Sequence, residues 1–184
     1  PRMVNIYRLF TDAPVWPRGL PLDLVLDNSG IELQASGMQR VSIASYLVDG
    51  EPDVDAVYRM VVNLPPCFRQ RPPVVLDEGV FAPFNSQSTL WYPEAYPFLY
   101  LPAFVTFRYT DILRGWIAQR AVWGVDGRLA FASPILRQDR NAHNLMRDFE
   151  SEIPCYLQSA AVVDALAKMT LPEGPFDTMR EIYD

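Results

Sequence analysis

Phe104 to Trp123 reads F-V-T-F-R-Y-T-D-I-L-R-G-W-I-A-Q-R-A-V-W, an apolar run passing into a helical pattern at Thr110-Asp111. A carboxylate at such a strand-to-helix corner either caps the helix or faces a cleft, which makes Asp111 the first candidate for proton chemistry. Arg108 and Arg114 stand three residues on either side of it. Asp53-Val54-Asp55 is a second candidate. It reads either as a pair of functional carboxylates or as a turn whose aspartates accept from nearby backbone N–H groups. Asn85-Ser86-Gln87, set between the apolar runs F-A-P-F and T-L-W-Y, offers amides that both donate and accept, or else a tight turn with Asn85 near the left-handed region. Arg18, in the stiff segment W-P-R-G, suits either a bound anion or an internal carboxylate. His143 is the chain's one histidine. Alone it makes no metal site, and beside a helix start it reads as a polar cap or a surface group.

These residues need elements to hold them. Short strands are expected at 41–48, 73–76, 80–84, 88–92, 104–107 and 128–133, where β-branched and aromatic residues are bounded by turn residues. Helices are expected over Asp111–Trp123, Asn141–Ser151 and Cys155–Met169 from apolar periodicity. Pro172, Gly174 and Pro175 end regular structure, so one domain spans 1–171 and a surface tail spans 172–184. Seventeen prolines against nine glycines make the long connections stiff. At 184 residues, 49% hydrophobic and 21% charged, the chain has the composition of a single globular domain. Its net charge of −6 leaves no general basic surface for nucleic acid. Arg108, Arg114, Arg120, Arg128, Arg137, Arg140 and Arg147 nevertheless crowd one stretch, while Lys168 is the single lysine. That preference suits bidentate recognition of phosphate or carboxylate, and equally suits planar surface ion pairs. Cys67 and Cys155 pair once or not at all. No apolar run is long enough to cross a membrane as a helix.

Five ordered segments resemble the STELLO-type glycosyltransferases: V-W-P-R-G-L-P-L-D-L-V-L (15–26), E-P-D-V-D-A-V-Y-R-M (51–60), F-A-P-F-N-S-Q-S-T-L (81–90), L-P-A-F-V-T-F-R-Y-T-D-I-L-R-G-W-I-A-Q-R (101–120) and R-Q-D-R-N-A-H-N-L-M-R-D-F-E-S-E (137–152). A more distant similarity runs to the plant reversibly glycosylated polypeptides, which are UDP-arabinopyranose mutases. The resemblance implies an α/β fold, namely the C-terminal portion of a GT-A-like nucleotide-diphospho-sugar transferase with a mixed sheet and flanking helices. The family's aspartate-rich metal motif precedes W-P-R-G and is absent here, and the chain opens on Pro1. A nucleotide-binding half is therefore expected upstream or on another chain, with an apolar edge exposed near residues 1–30 over Val4, Ile6, Val15 and Trp16.

The implied activity is metal-assisted transfer from a nucleotide sugar to a glycan or polysaccharide acceptor, with Mn²⁺ or Mg²⁺ weakly held or absent in this portion. Asp111 would be the catalytic carboxylate, expected at the mouth of the largest cleft. Arg18, Arg108, Arg114, Asp53, Asp55, Asn85 and Gln87 would bind substrate, and His143 would complete the metal site. Trp91, Tyr92, Tyr96 and Tyr100 either stack on sugars or pack on prolines. The resemblance further implies the Golgi lumen and cell-wall polysaccharide synthesis. Two alternatives stay open, a non-catalytic interaction module of a polysaccharide-synthesis complex and a nucleotide-sugar mutase.

Overall fold

The computed structural model describes residues 1–27, 31–35, 37–62 and 64–184. In chain order its elements are β1 (Arg2–Met3), β2 (Val41–Tyr46), β3 (Asp49–Gly50), α1 (Ala56–Val61), β4 (Val74–Val75), β5 (Val80–Phe81), β6 (Thr89–Trp91), α2 (Phe107–Trp123), β7 (Arg128–Ala132), β8 (Arg137–Gln138), α3 (Leu145–Lys168) and α4 (Pro175–Tyr183). The chain is an α/β protein with a mixed four-stranded sheet, ordered β4-β7-β2-β6. β2 and β7 pair in parallel at its centre, with Ala44 opposite Ala130 and Ser45 opposite Phe131. β6 and β4 run antiparallel on the two edges. Two short parallel pairs, β1 with β5 and β3 with β8, lie outside this sheet.

Helix α2 organises the interior because it is covered on two sides. Ala118, Ala121 and Val122 join Ile43, Leu129 and Phe131 in one core, while Tyr109, Ile112, Trp116 and Ile117 join Cys155, Val163 and Leu166 of α3 in another. A helix covered on two sides has no clean amphipathic stripe, and α2 buries even Arg114 and Gln119. Gln119 stays soluble in this core by donating to the Gly115 carbonyl at 3.1 Å and accepting from Ala82 N–H at 2.9 Å.

Several expectations are corrected. The run 104–107 is no strand: Thr106 is the N-cap of α2, and Phe104 and Phe107 stand in solvent. An apolar run without a free sheet edge beside it gains nothing from extension, and Pro102 and the polar Thr106 instead set up a helix entry. Asp111 consequently lies well inside α2 rather than at its start, so it caps nothing. The two helices expected at 141–151 and 155–169 form one helix, α3, with Pro154 inside it. Pro154 removes one intrahelical bond, but contacts to α2 and α1 on either side of it keep the halves in line. The segment 172–184 is not a loose tail. Pro175 opens α4, Thr178 is buried, Met179 and Ile182 pack on the core, and Tyr183 meets Tyr100 edge-on at 5.0 Å. Val4, Ile6, Val15 and Trp16 are buried in the chain's own core instead of forming an exposed edge. Cys67 and Cys155 are both free thiols, the first exposed and the second buried.

Gly115 sets the distance between α2 and the segment carrying Asn85-Ser86-Gln87. A Cβ there would stand 2.8 Å from the Phe84 carbonyl oxygen. Gly115→Ala should therefore lower stability by about 1–3 kcal/mol despite alanine's better helix propensity. A urea melt showing a midpoint equal to or above wild type would mean that the helix has room to spare.

Candidate active site

The site begins with Trp16-Pro17-Arg18-Gly19. Gly19 has φ +95°, and a Cβ on it would lie 2.5 Å from Ile112 Cγ2. Only glycine allows this turn to lie flat on α2. That contact delivers Arg18 to Asp111, the neighbour of Ile112.

Two three-residue segments clasp each other here. Trp16 Nε1 donates to Asp55 Oδ2 at 2.7 Å, and Arg18 N–H donates to the Asp53 carbonyl at 3.0 Å. The Arg18 guanidinium then donates through Nε to both Asp53 oxygens at 3.0 and 3.1 Å, and through Nη2 to Asp53 Oδ2 at 2.6 Å. The same Nη2 reaches Asp111 Oδ1 and Oδ2 at 3.1 and 3.2 Å, while Nη1 donates to the Arg108 carbonyl. Burial opposes the charge on Arg18, but Asp53 and then Asp111 outweigh it and hold its pKa above the ordinary value. For Asp53, burial alone would favour the neutral acid. Arg18 overrides it and keeps the carboxyl below its usual pKa.

Asp55 points the other way from Asp53. It caps α1, accepting from Tyr58 N–H at 2.7 Å, and burial pushes its pKa up to about 6. Asp53 and Asp55 therefore serve two different donors and do not face a common ligand. Arg108 also turns inward: Nε donates to Glu152 Oε1 at 2.8 Å, and Nη2 donates to the same oxygen. Glu152, wholly buried, accepts in addition from Ala56 N–H at 2.7 Å and Tyr156 Oη at 3.0 Å. Arg114 donates to Ser86 Oγ at 2.9 Å and lies over the Trp91 ring at 4.9 Å. Burial lowers its pKa, with Asp111 acting in the opposite direction.

What remains open is a basin of about 320 Å³ with Asp111, Arg18, Asn85, Gln87, Gln138 and Arg140 on its walls. It is not the largest depression. A larger one, about 660 Å³, lies between residues 2–9, 31–35, 37–39 and 71–80. The Asp111 side chain is 21% exposed and also accepts from Ser86 N–H at 3.3 Å. Asn85 Oδ1 accepts from Gln87 N–H at 2.7 Å, shaping the turn. Gln87 accepts from Asp53 N–H at 3.0 Å and donates to the Glu51 carbonyl at 3.0 Å and to Gln138 Oε1. Asp111, Arg18, Asp53, Asn85, Gln87 and the Arg108 backbone are thus brought together. Asp55 and the Arg108 guanidinium are spent on the framework. His143 lies elsewhere, with Nδ1 3.1 Å from Asp148 Oδ2.

Gln138, Arg140 and Glu152 have site roles that their residue types alone did not announce. Gln138 and Arg140 are two apart in extended chain, the spacing that puts both side chains on one face, and that was the legible signal. Arg140 N–H donates to Glu51 Oε2 at 3.1 Å, Nη2 stands 3.7 Å from Asp53 Oδ1, and Nη1 is buried without a partner. Among the described residues, no three His, Cys, Asp or Glu side chains gather where they could hold a metal ion.

Fold and site define an α/β domain in which a partly exposed carboxylate, Asp111, is set among guanidinium and amide groups. No family model matches the chain. It is 35% identical over 147 residues to Probable glycosyltransferase STELLO2 of Arabidopsis thaliana, a match covering 75% of this chain and 19% of that protein. To Probable glycosyltransferase STELLO1 of the same plant it is 34% identical over 140 residues, covering 72% and 18% respectively. The chain belongs to the STELLO-type family and spans just under a fifth of the length of these curated relatives.

Asp55 carries a pH signature. A carboxyl whose folded pKa is raised from 3.8 to about 6 contributes its stability fully at low pH and loses it as pH rises through that interval. Asp55→Asn removes this titration while keeping an acceptor for the α1 cap. The stability gap between wild type and D55N should therefore narrow between about pH 4 and 7. Equilibrium unfolding at a series of pH values reads it directly, and a gap that widens would show that burial does not govern this group.

Proposed function

We propose that this domain forms the acceptor side of a GT-A-like glycosyltransferase that moves a sugar from a nucleotide-sugar donor to a glycan or polysaccharide hydroxyl. The carrying observation is Asp111, a carboxylate fixed by Arg18 and Ser86 N–H yet still open to the basin. An ionised carboxylate has about four acceptor positions, so these contacts leave capacity for an incoming hydroxyl. In a direct displacement, Asp111 takes the acceptor proton as the hydroxyl oxygen bonds to the anomeric carbon. The carbon–oxygen bond to the diphosphate breaks, and the leaving group carries off the electron pair. Asn85 and Gln138 suit sugar hydroxyls because amides match both halves of an O–H group. Arg140 is the basin guanidinium with a donor unspent, which fits it to neutralise the departing phosphate. The names of both relatives support transfer chemistry.

A divalent cation does not fit the residues described here. Asp53 is committed to Arg18 and Arg140, Asp55 caps a helix, and His143 contacts Asp148. The step above therefore draws on side chains only.

A non-catalytic scaffold is the second reading, favoured by one observation: Arg18 ties Asp53 and Asp111 together as a structural bridge would. Asp111→Asn in the complete protein separates the two. Incubated with a panel of nucleotide sugars and glycan acceptors, D111N should lose about 100-fold or more in turnover, with its melting temperature within a few degrees of wild type. Normal turnover in D111N, or a protein that melts early while still turning over, would assign Asp111 to the framework.

A further inference from the structure

We propose that Phe107 is a stacking platform for a sugar ring of the glycan acceptor, an inference that rests on the transfer reading and names where its second substrate lies. Phe107 is 90% exposed and Phe104, three residues earlier, is 101% exposed. Scattered exposed leucines are ordinary, but a phenylalanine with almost no contact forgoes roughly 1.5–3 kcal/mol of burial. The first turn of α2 fixes the backbone that carries this ring. Thr106 Oγ1 donates to the Ser151 carbonyl at 2.6 Å, and the Thr106 carbonyl accepts from Tyr109 and Thr110 N–H at 2.9 and 3.1 Å.

The position of the ring connects it to the basin. Phe107 and Asp111 are four apart on one helix and so share a face one turn from each other, and Arg114 continues that face. Arg114 bonds Ser86, whose N–H bonds Asp111, so the face leads from the free ring to the carboxylate and on to the polar turn. The helical neighbours of Phe107 are Arg108, Thr110 and Asp111. Its ring, with Phe104 three residues before it, is therefore apolar surface with hydrogen-bonding groups beside it. A pyranose has the complementary form, a face of C–H groups and an edge of hydroxyls.

The test uses the protein on an array of hexose and pentose oligosaccharides, linear and branched. Phe107→Ala should weaken capture of the glycans that wild type binds by about three- to tenfold, the range expected for one aromatic contact. Phe107→Tyr should bind as wild type, and Phe107→Leu should behave as F107A does. Retained binding in F107L would mark a general apolar contact and overturn the proposal, as would wild-type binding by F107A or no glycan captured by wild type. The two readings fail separately. Weak glycan capture by F107A beside normal turnover by D111N leaves the platform and removes the transfer step, and the reverse pattern removes the platform alone.

Discussion

The Arg18 guanidinium ties three parts of the chain that are far apart in sequence: its own turn, the 51–55 segment and helix α2. It is 5% exposed and faces two carboxylates and a backbone carbonyl. A charge so buried is tolerable only beside an equally buried partner, and removing either member of the Arg18–Asp53 pair commonly costs about 3–5 kcal/mol. Lysine cannot substitute for it, since one ammonium lacks the fork needed to serve Asp53, Asp111 and the Arg108 carbonyl at once. The turn at Gly19, the orientation of Asp111 and the position of Asp53 all follow from this one group.

A second carboxylate–arginine pair reinforces the first. Glu152 of α3 fixes the Arg108 side chain and also accepts from the first N–H of α1. Arg108 thus links to Arg18 through its carbonyl and to α3 through its side chain. The basin's outer groups, Asp111, Gln138 and Arg140, rest on an inner layer whose donors and acceptors are almost all matched. Rigid support of this kind is what a site needs when its polar groups must be aimed before a ligand arrives.

Much of the central sheet was legible because it uses strong local signals. V-S-I-A-S-Y and R-L-A-F-A are β2 and β7, and T-L-W is β6. The helix after Thr110 was legible too, but its start was not, because F-V-T-F has strand composition and nothing local says that no sheet edge awaits it. The break expected between 151 and 155 is absent, because packing on α2 carries α3 through Pro154. Of the site, Asp111, Arg18, Asn85 and Gln87 were legible from chemical type and motif. The division between Asp53, which holds Arg18, and Asp55, which holds Trp16 and a helix cap, was not. It depends on partners 35 and 39 residues away. Glu152 behind Arg108 was not legible either, since only the tertiary structure brings the two together.

The parallel pairing of β2 with β7 carries a consequence for how the chain acquires its structure. Residues 41–46 have no central-strand neighbour until 128–132 have been made, and the β4 edge attaches only to β7. A ribosome must therefore release well over half of this sequence before the middle of the sheet can assemble. Until then the apolar face of β2 waits in a nascent chain whose nearest available strand is the short β6. Such topology favours slow, late closure over stepwise growth from the N-terminus, and it makes the interval before β7 emerges the period when a chaperone would have most to cover.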